Sequence, residues 1–249
     1  MSPLLIVLFV ILGILFLISI YGSFIRWNAS RVTIWFSIKK LDIDRPMEDY
    51  AKLLLDENGL VDVEVKKCGF FASLFVGNTY SVSKKLIRIS WGTARRSTAT
   101  NLAAVCRLVG LAKLHADGVK GIRLVEFNRW FGWLPMLLLP LIIIGLILDL
   151  VLAESIGTWT IALTGVGLAI ALVCFIISAI AAKIYIKSCN IGQTLILDMG
   201  ILQENEEKRI KKLYSAWKKL IVLQVIINAF EAIYFLLKLI FSSFKLIRR

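Results

Sequence analysis

The chain has 249 residues, of which 58% are hydrophobic, and it carries a formal net charge of +13. Soluble domains are roughly 45–50% apolar, so this composition is typical of a membrane protein. Together, the basic excess and the apolar bulk favour a cytoplasmic face against anionic lipid over nucleic-acid binding, because no basic helix alternates with stacking aromatic residues.

The first element in chain order is an apolar segment at residues 1–25, which contains no charged side chain. Its length is that of a helix crossing a bilayer. No Lys or Arg precedes Arg26, and the apolar run is longer than the core of a signal peptide. The sequence therefore predicts an uncleaved transmembrane anchor.

Residues 26–129 have mixed polarity and predict a small α+β domain in water. A helix begins after Pro46 and ends at Asn58-Gly59, and a second, apolar helix covers about Thr98 to Ala116. Between them, two segments have strand character: the alternating valines of residues 61–65 and the sequence KKLIRIS of residues 84–90.

A transmembrane hairpin is predicted for residues 130–186. Residues 130–148 and 155–182 are both free of charged side chains, and only a short turn joins them. Tryptophans near the ends of these two segments suit the interfacial aromatic belt.

The rest of the chain divides by polarity into a basic cytoplasmic helical segment at 187–219 and an amphipathic membrane-embedded helix with a basic tail at 220–249. At about 100° per residue, one face of that last helix is polar. It lies in the interface, or it spans the bilayer with its polar side turned to protein. The candidate partner-contact residues on this face are Gln224, Asn228, Glu231 and Lys238.

The basic residues also predict the topology. Residues 26–129 hold 18 of the 30 Lys and Arg, and the turn of the hairpin holds none. The positive-inside rule then places the N-terminus outside and the main polar domain in the cytoplasm. We expect a membrane α-helical fold, with three or four transmembrane or membrane-embedded helices and a small α+β domain, in a multi-pass protein of the cytoplasmic (inner) membrane.

Three short pieces of the sequence, in this order, resemble the YugP-like family of integral-membrane zinc metallopeptidases: residues 55–60 with the following valine strand, residues 85–90, and residues 114–118. The likeness extends from about Pro46 to the C-terminus. It implies a peptidase-like cytoplasmic domain in a bacterial inner membrane. It also implies an H-E-x-x-H motif on the apolar helix, whose two imidazoles would bind zinc and whose glutamate would activate the metal-bound water.

That motif is replaced in this chain. In register with the flanking residues, the two ligand positions are Arg107 and Leu111, and the position of the general base is Leu108. An arginine has no lone pair for a metal, and leucine offers none either. The region of the third ligand, residues 184–189, reads IYIKSC and holds no acid. The only histidine, His115, lies near a helix end, where a positive charge is favourable.

We therefore expect no enzymatic activity, no metal and no cofactor, and we expect membrane lipid and other membrane protein subunits as partners. The leading hypothesis is a pseudoenzyme that serves as a scaffold or assembly subunit of a larger membrane complex. An alternative is a regulator that binds peptide, lipid or a membrane protease through the old substrate groove. In that case the phenylalanine-rich residues 70–75 form an exposed contact, although core packing explains them more simply. A further alternative is a membrane hydrolase with atypical residues.

Overall fold

The computed structural model describes residues 45–131 and 158–247, with a few single positions elsewhere. The chain divides into two compact units. We call residues 24–126 with 181–221 the central unit, and residues 1–23, 127–180 and 222–249 the terminal unit. The predicted anchor at 1–25 and the first helix of the predicted hairpin, at 130–148, lie largely outside the described residues and stay predictions.

The described elements are mostly helices, with one small sheet, which confirms a mainly α-helical chain with a minor β component. In chain order they are α1 (Met47–Glu57), β1 (Glu64–Lys67), α2 (Phe70–Val76), β2 (Thr79–Ser81), β3 (Leu86–Ile89), α3 (Trp91–Arg95), α4 (Ala99–Ala116), α5 (Ile122–Phe131), α6 (Thr158–Asp198) and α7 (Glu204–Ile247).

The sheet has the strand order β1-β3-β2, with β1 parallel and β2 antiparallel to β3. The predicted KKLIRIS strand is confirmed as β3, whereas β2 was not predicted. The valine strand is shorter than predicted because the chain turns at residues 61–62, where Val61 is 83% exposed. The amide of Leu60 bonds to the Leu55 carbonyl as α1 ends, so this segment closes the helix before β1 begins.

Helices α1 and α4 form the core of the central unit together with the sheet. The predicted α1 is confirmed, and it ends where Gly59 adopts a φ of +70° that favours glycine. The predicted α4 is also confirmed, and it begins where the Thr98 hydroxyl accepts a hydrogen bond from the Asn101 amide. Because nearly every apolar residue of α4 is buried, this helix is the centre of the unit rather than a surface element.

Helix α6 has the predicted membrane character. Of the described helices it is the one that is long and apolar enough to cross a membrane, over Ile161–Asp198. This indicates that the chain associates with a membrane. The boundaries predicted at 187 and 220 fall inside the continuous helices α6 and α7. A change of polarity marked those boundaries, but the helical hydrogen-bond ladder continues through polar residues.

Candidate functional site

The three positions that the family resemblance aligns with a zinc motif, Arg107, Leu108 and Leu111, lie in the middle of α4, and two of them are core residues. Leu108 is 2% exposed and Leu111 is 3% exposed, within a cluster of buried apolar side chains from α1, the sheet, α4, α6 and α7. Arg107 is half-buried. The two leucines therefore act as packing residues, and neither lines an open groove.

A close helix crossing holds α4 against the central-unit part of α6. A Cβ placed on Gly110 would lie 2.7 Å from the Ser188 carbonyl oxygen. A Cβ placed on Gly192 would lie 2.8 Å from both the amide nitrogen and the Cα of Arg107. Both distances are shorter than real Cβ contacts, so only glycine permits this approach. The crossing brings the motif positions next to residues 188–192.

Helix α7 also packs against α4 at this crossing. The Tyr214 hydroxyl donates a 2.8 Å hydrogen bond to the Ala103 carbonyl, and its ring packs edge-on against Trp217. Tyr214 is fully buried, and this burial raises its pKa well above the ordinary value, so the hydroxyl stays protonated. It is a structural donor between two helices.

Arg107 is the one charged side chain of α4 that enters this crossing. Its guanidinium carbon lies 5.1 Å from the centre of the Trp217 ring, a cation–π distance. Its Nε is buried and has no hydrogen-bond partner among the described residues. Lys218 is next to Trp217 in sequence and donates a 3.1 Å bond to the Asn190 side chain.

The single histidine belongs to a different polar cluster. Tyr80 Oη and His115 Nδ1 are 2.7 Å apart. Burial raises the pKa of Tyr80 to about 12 and lowers the pKa of His115. Burial favours the neutral imidazole, whereas the nearby helix end favours the charged one, so the predicted preference for a positive charge stays a prediction. The charges acting on this histidine are Lys85 and Arg123, which lower its pKa, and Asp62 and Glu126, which raise it.

Within residues 45–131 and 158–247, no group of three His, Cys, Asp or Glu side chains is arranged to hold a metal ion. Cys106 is fully buried, and burial raises the pKa of its thiol far above the ordinary value. A buried neutral thiol is a poor nucleophile. Cys106 is therefore a packing residue rather than an activated thiol.

The candidate partner-contact residues differ in what they touch. Asn228 is 7% exposed and donates a 3.0 Å bond to the Ser178 hydroxyl on α6, while Gln224 is exposed and donates to Asn228. The Asn228 amide is thus paired inside the terminal unit, and Gln224 remains accessible. The side chains of Glu231 and Lys238 lie outside the described residues, so their role stays a prediction.

The start of the phenylalanine-rich segment is on the surface rather than in the core. Phe71 is 77% exposed, and Phe70 is also exposed. The Phe70 ring packs edge-on against Trp91, and the Arg95 guanidinium lies 4.5 Å from the centre of the Trp91 ring. Core packing, the simpler explanation of this segment, is wrong for these two residues, because at least half of each side chain is exposed.

Comparisons with protein families, with curated proteins and with solved structures give no match for this chain. Two features that build the α4 crossing, Gly192 and Trp217, were missed in the sequence. A glycine within a helix costs about 1 kcal/mol relative to alanine, so Gly110 and Gly192 were signals of close packing. Nothing local marks Trp217 as the partner of Arg107.

Proposed function

We propose that this chain is a catalytically inactive, peptidase-like membrane protein that acts as a scaffold or assembly subunit of a larger complex in the cytoplasmic membrane. The observation that carries the proposal is the state of the motif positions. Leu108 and Leu111 are core residues, and Gly110 brings α4 against α6 where the resemblance implies a metal site. Because apolar packing occupies the positions where catalytic groups would be needed, the central unit supports binding and assembly rather than hydrolysis.

The proposed topology has the N-terminus outside, the main polar domain in the cytoplasm and several membrane passes. It is supported by the basic residues, since 18 of 30 Lys and Arg lie within residues 26–129. It is also supported by the Asn228–Ser178 bond, because a spanning α7 would turn its polar side towards protein in this way. Cysteine-accessibility labelling of intact cells at residues 62 and 205 tests the cytoplasmic assignment, and labelling from outside would contradict it.

Gentle solubilisation followed by mass measurement of the intact assembly tests the scaffold role. We expect a partner at a fixed stoichiometry that is lost in Gln224→Leu and Glu231→Leu. It should be kept in Lys211→Ala, a matched change at an exposed position earlier on α7. A chain that purifies alone, or that holds stoichiometric zinc by elemental analysis, would overturn the proposal.

A second candidate function is supported by the exposed aromatic residues. A pseudo-peptidase regulator would bind peptide, lipid or a membrane protease through an apolar contact, and Phe71 is 77% exposed, whereas Leu111 in the former groove is buried. A photo-crosslinking amino acid at position 71 should then trap an adduct. The control is position 61, where Val61 is equally exposed but isolated. Equal yields at both positions would contradict a specific contact.

A further inference from the structure

The α4–α6–α7 crossing holds two cations, and none of its three helices has an acidic residue close to it along the chain. The Arg107 guanidinium lies over the ring of Trp217, and the next residue of α7, Lys218, donates to the Asn190 side chain on α6, so both cations lie at this crossing. No acidic residue occurs in α4, between 155 and 197, or between 208 and 230. The nearest acids on the partner helices, Asp198 and Glu207, are nine and ten residues from Cys189 and Trp217, roughly 13–15 Å along the axes.

Arg107 is also fixed in place before any ligand arrives. Its backbone is clamped by Gly192, and its guanidinium rests on the Trp217 ring. The buried Nε has no hydrogen-bond partner among the described residues, and no carboxylate in that part of the chain forms an ion pair with the group. A partly buried cation without a counter-charge is costly. An anion that reached it would restore both charge balance and hydrogen bonding.

Arginine and lysine together match a particular anion chemistry. The planar guanidinium presents several N–H donors to two oxygens at once, and the lysine adds a mobile point charge. A phosphate group supplies the oxygens and negative charge that this pair requires. An aromatic ring under the guanidinium keeps it oriented, so little side-chain entropy is lost on binding.

We propose that Arg107 and Lys218, with Trp217 as the supporting ring, form a binding site for a phosphate group. The group comes from the headgroup of an anionic phospholipid or from a soluble phosphate compound. The site does not require the peptidase resemblance, because it rests on the contacts of the described residues alone. It lies in the central unit, where α6 continues beyond its uncharged stretch at Lys183.

The test uses the full chain in nanodiscs of phosphatidylcholine, to which one of two probes is added. One arm includes phosphatidylglycerol in the nanodisc, and the other adds inorganic phosphate to the buffer. We measure the rise in unfolding temperature and, by native mass spectrometry, the retained adduct. A shift with phosphatidylglycerol alone assigns a lipid headgroup, and a shift with inorganic phosphate assigns a soluble phosphate.

Variants decide whether the shift belongs to this site. Arg107→Gln should weaken the affinity about tenfold or more, as expected when one partner of a charged contact is removed. Arg107→Lys should retain part of the effect. Lys218→Gln weakens binding without touching the packed helix α4, so it reports on the site even where Arg107→Gln fails to fold. The control Lys212→Gln removes an exposed lysine of the same helix and should leave the shift unchanged.

Two results would overturn the proposal. The first is the absence of a shift with either probe. The second is a shift that Lys218→Gln and Arg107→Lys leave at the wild-type value, since the phosphate would then bind elsewhere on a strongly basic chain.

Discussion

Replacing Gly110 by alanine tests the packing of the central unit directly. The added Cβ would meet the Ser188 carbonyl oxygen at 2.7 Å and the Cβ of Ile191 at 3.3 Å. Neither atom is the flexible end of a long side chain, so α4 and α6 must separate. Overpacking of this kind costs about 1–3 kcal/mol. Because alanine is the better helix former by about 1 kcal/mol, we expect a net loss of up to about 2 kcal/mol.

For a chain of this length that loss lowers the unfolding temperature by up to about 8 °C. The assay is thermal unfolding of the detergent-purified full chain, followed by far-ultraviolet circular dichroism. The matched control is Gly165→Ala, also a glycine within a helix, where a Cβ would meet nothing within 4 Å. We expect this control to unfold at or above the wild-type temperature. If both variants gain stability equally, the close crossing does not exist and the reasoning is refuted.

Three further experiments test other contacts. His115→Gln should flatten the fall in unfolding temperature between pH 7 and 5. The depressed pKa of His115 contributes stability above its unfolded pKa of about 6.5 that is lost as the pH falls; an unchanged slope would contradict this. Tyr214→Phe should lower stability by roughly 0.5–1.5 kcal/mol in denaturant titrations, through loss of its bond to α4. Asn228→Leu and Ser178→Ala should show a coupling of about 0.6 kcal/mol in a double-mutant cycle, and additive effects would exclude their bond.

The predictions that held depended on local signals. Helix α4 was predicted from Thr98 to Ala116, and it begins and ends there, because a capping hydroxyl and a following Asp-Gly act within a few residues. The strand of residues 84–90 is found at Leu86–Ile89 for the same kind of reason. The valine alternation misled at Val61, where backbone hydrogen bonds that close α1 override strand propensity.

At the three positions aligned with the zinc motif, too, one part of the outcome could be predicted from the sequence and another could not. That Arg107, Leu108 and Leu111 cannot supply metal ligands or a general base follows from side-chain chemistry, which the sequence states directly. That the two leucines are buried, and that the arginine rests on Trp217, depends on residues about 110 positions apart in the chain.

By itself, the sequence determined the apolar helix that becomes α6, the net positive charge of the chain and the side chains at positions 107, 108 and 111, which cannot bind a metal. Each of these is a property of composition or of neighbouring residues, so no long-range contact was needed. Only the tertiary structure decided that Gly110 and Gly192 bring α4 and α6 together, that Phe71 is exposed, and that Asn228 is paired with Ser178. Those outcomes depend on which helix faces meet, and a helix face becomes specific only when its partner is in place.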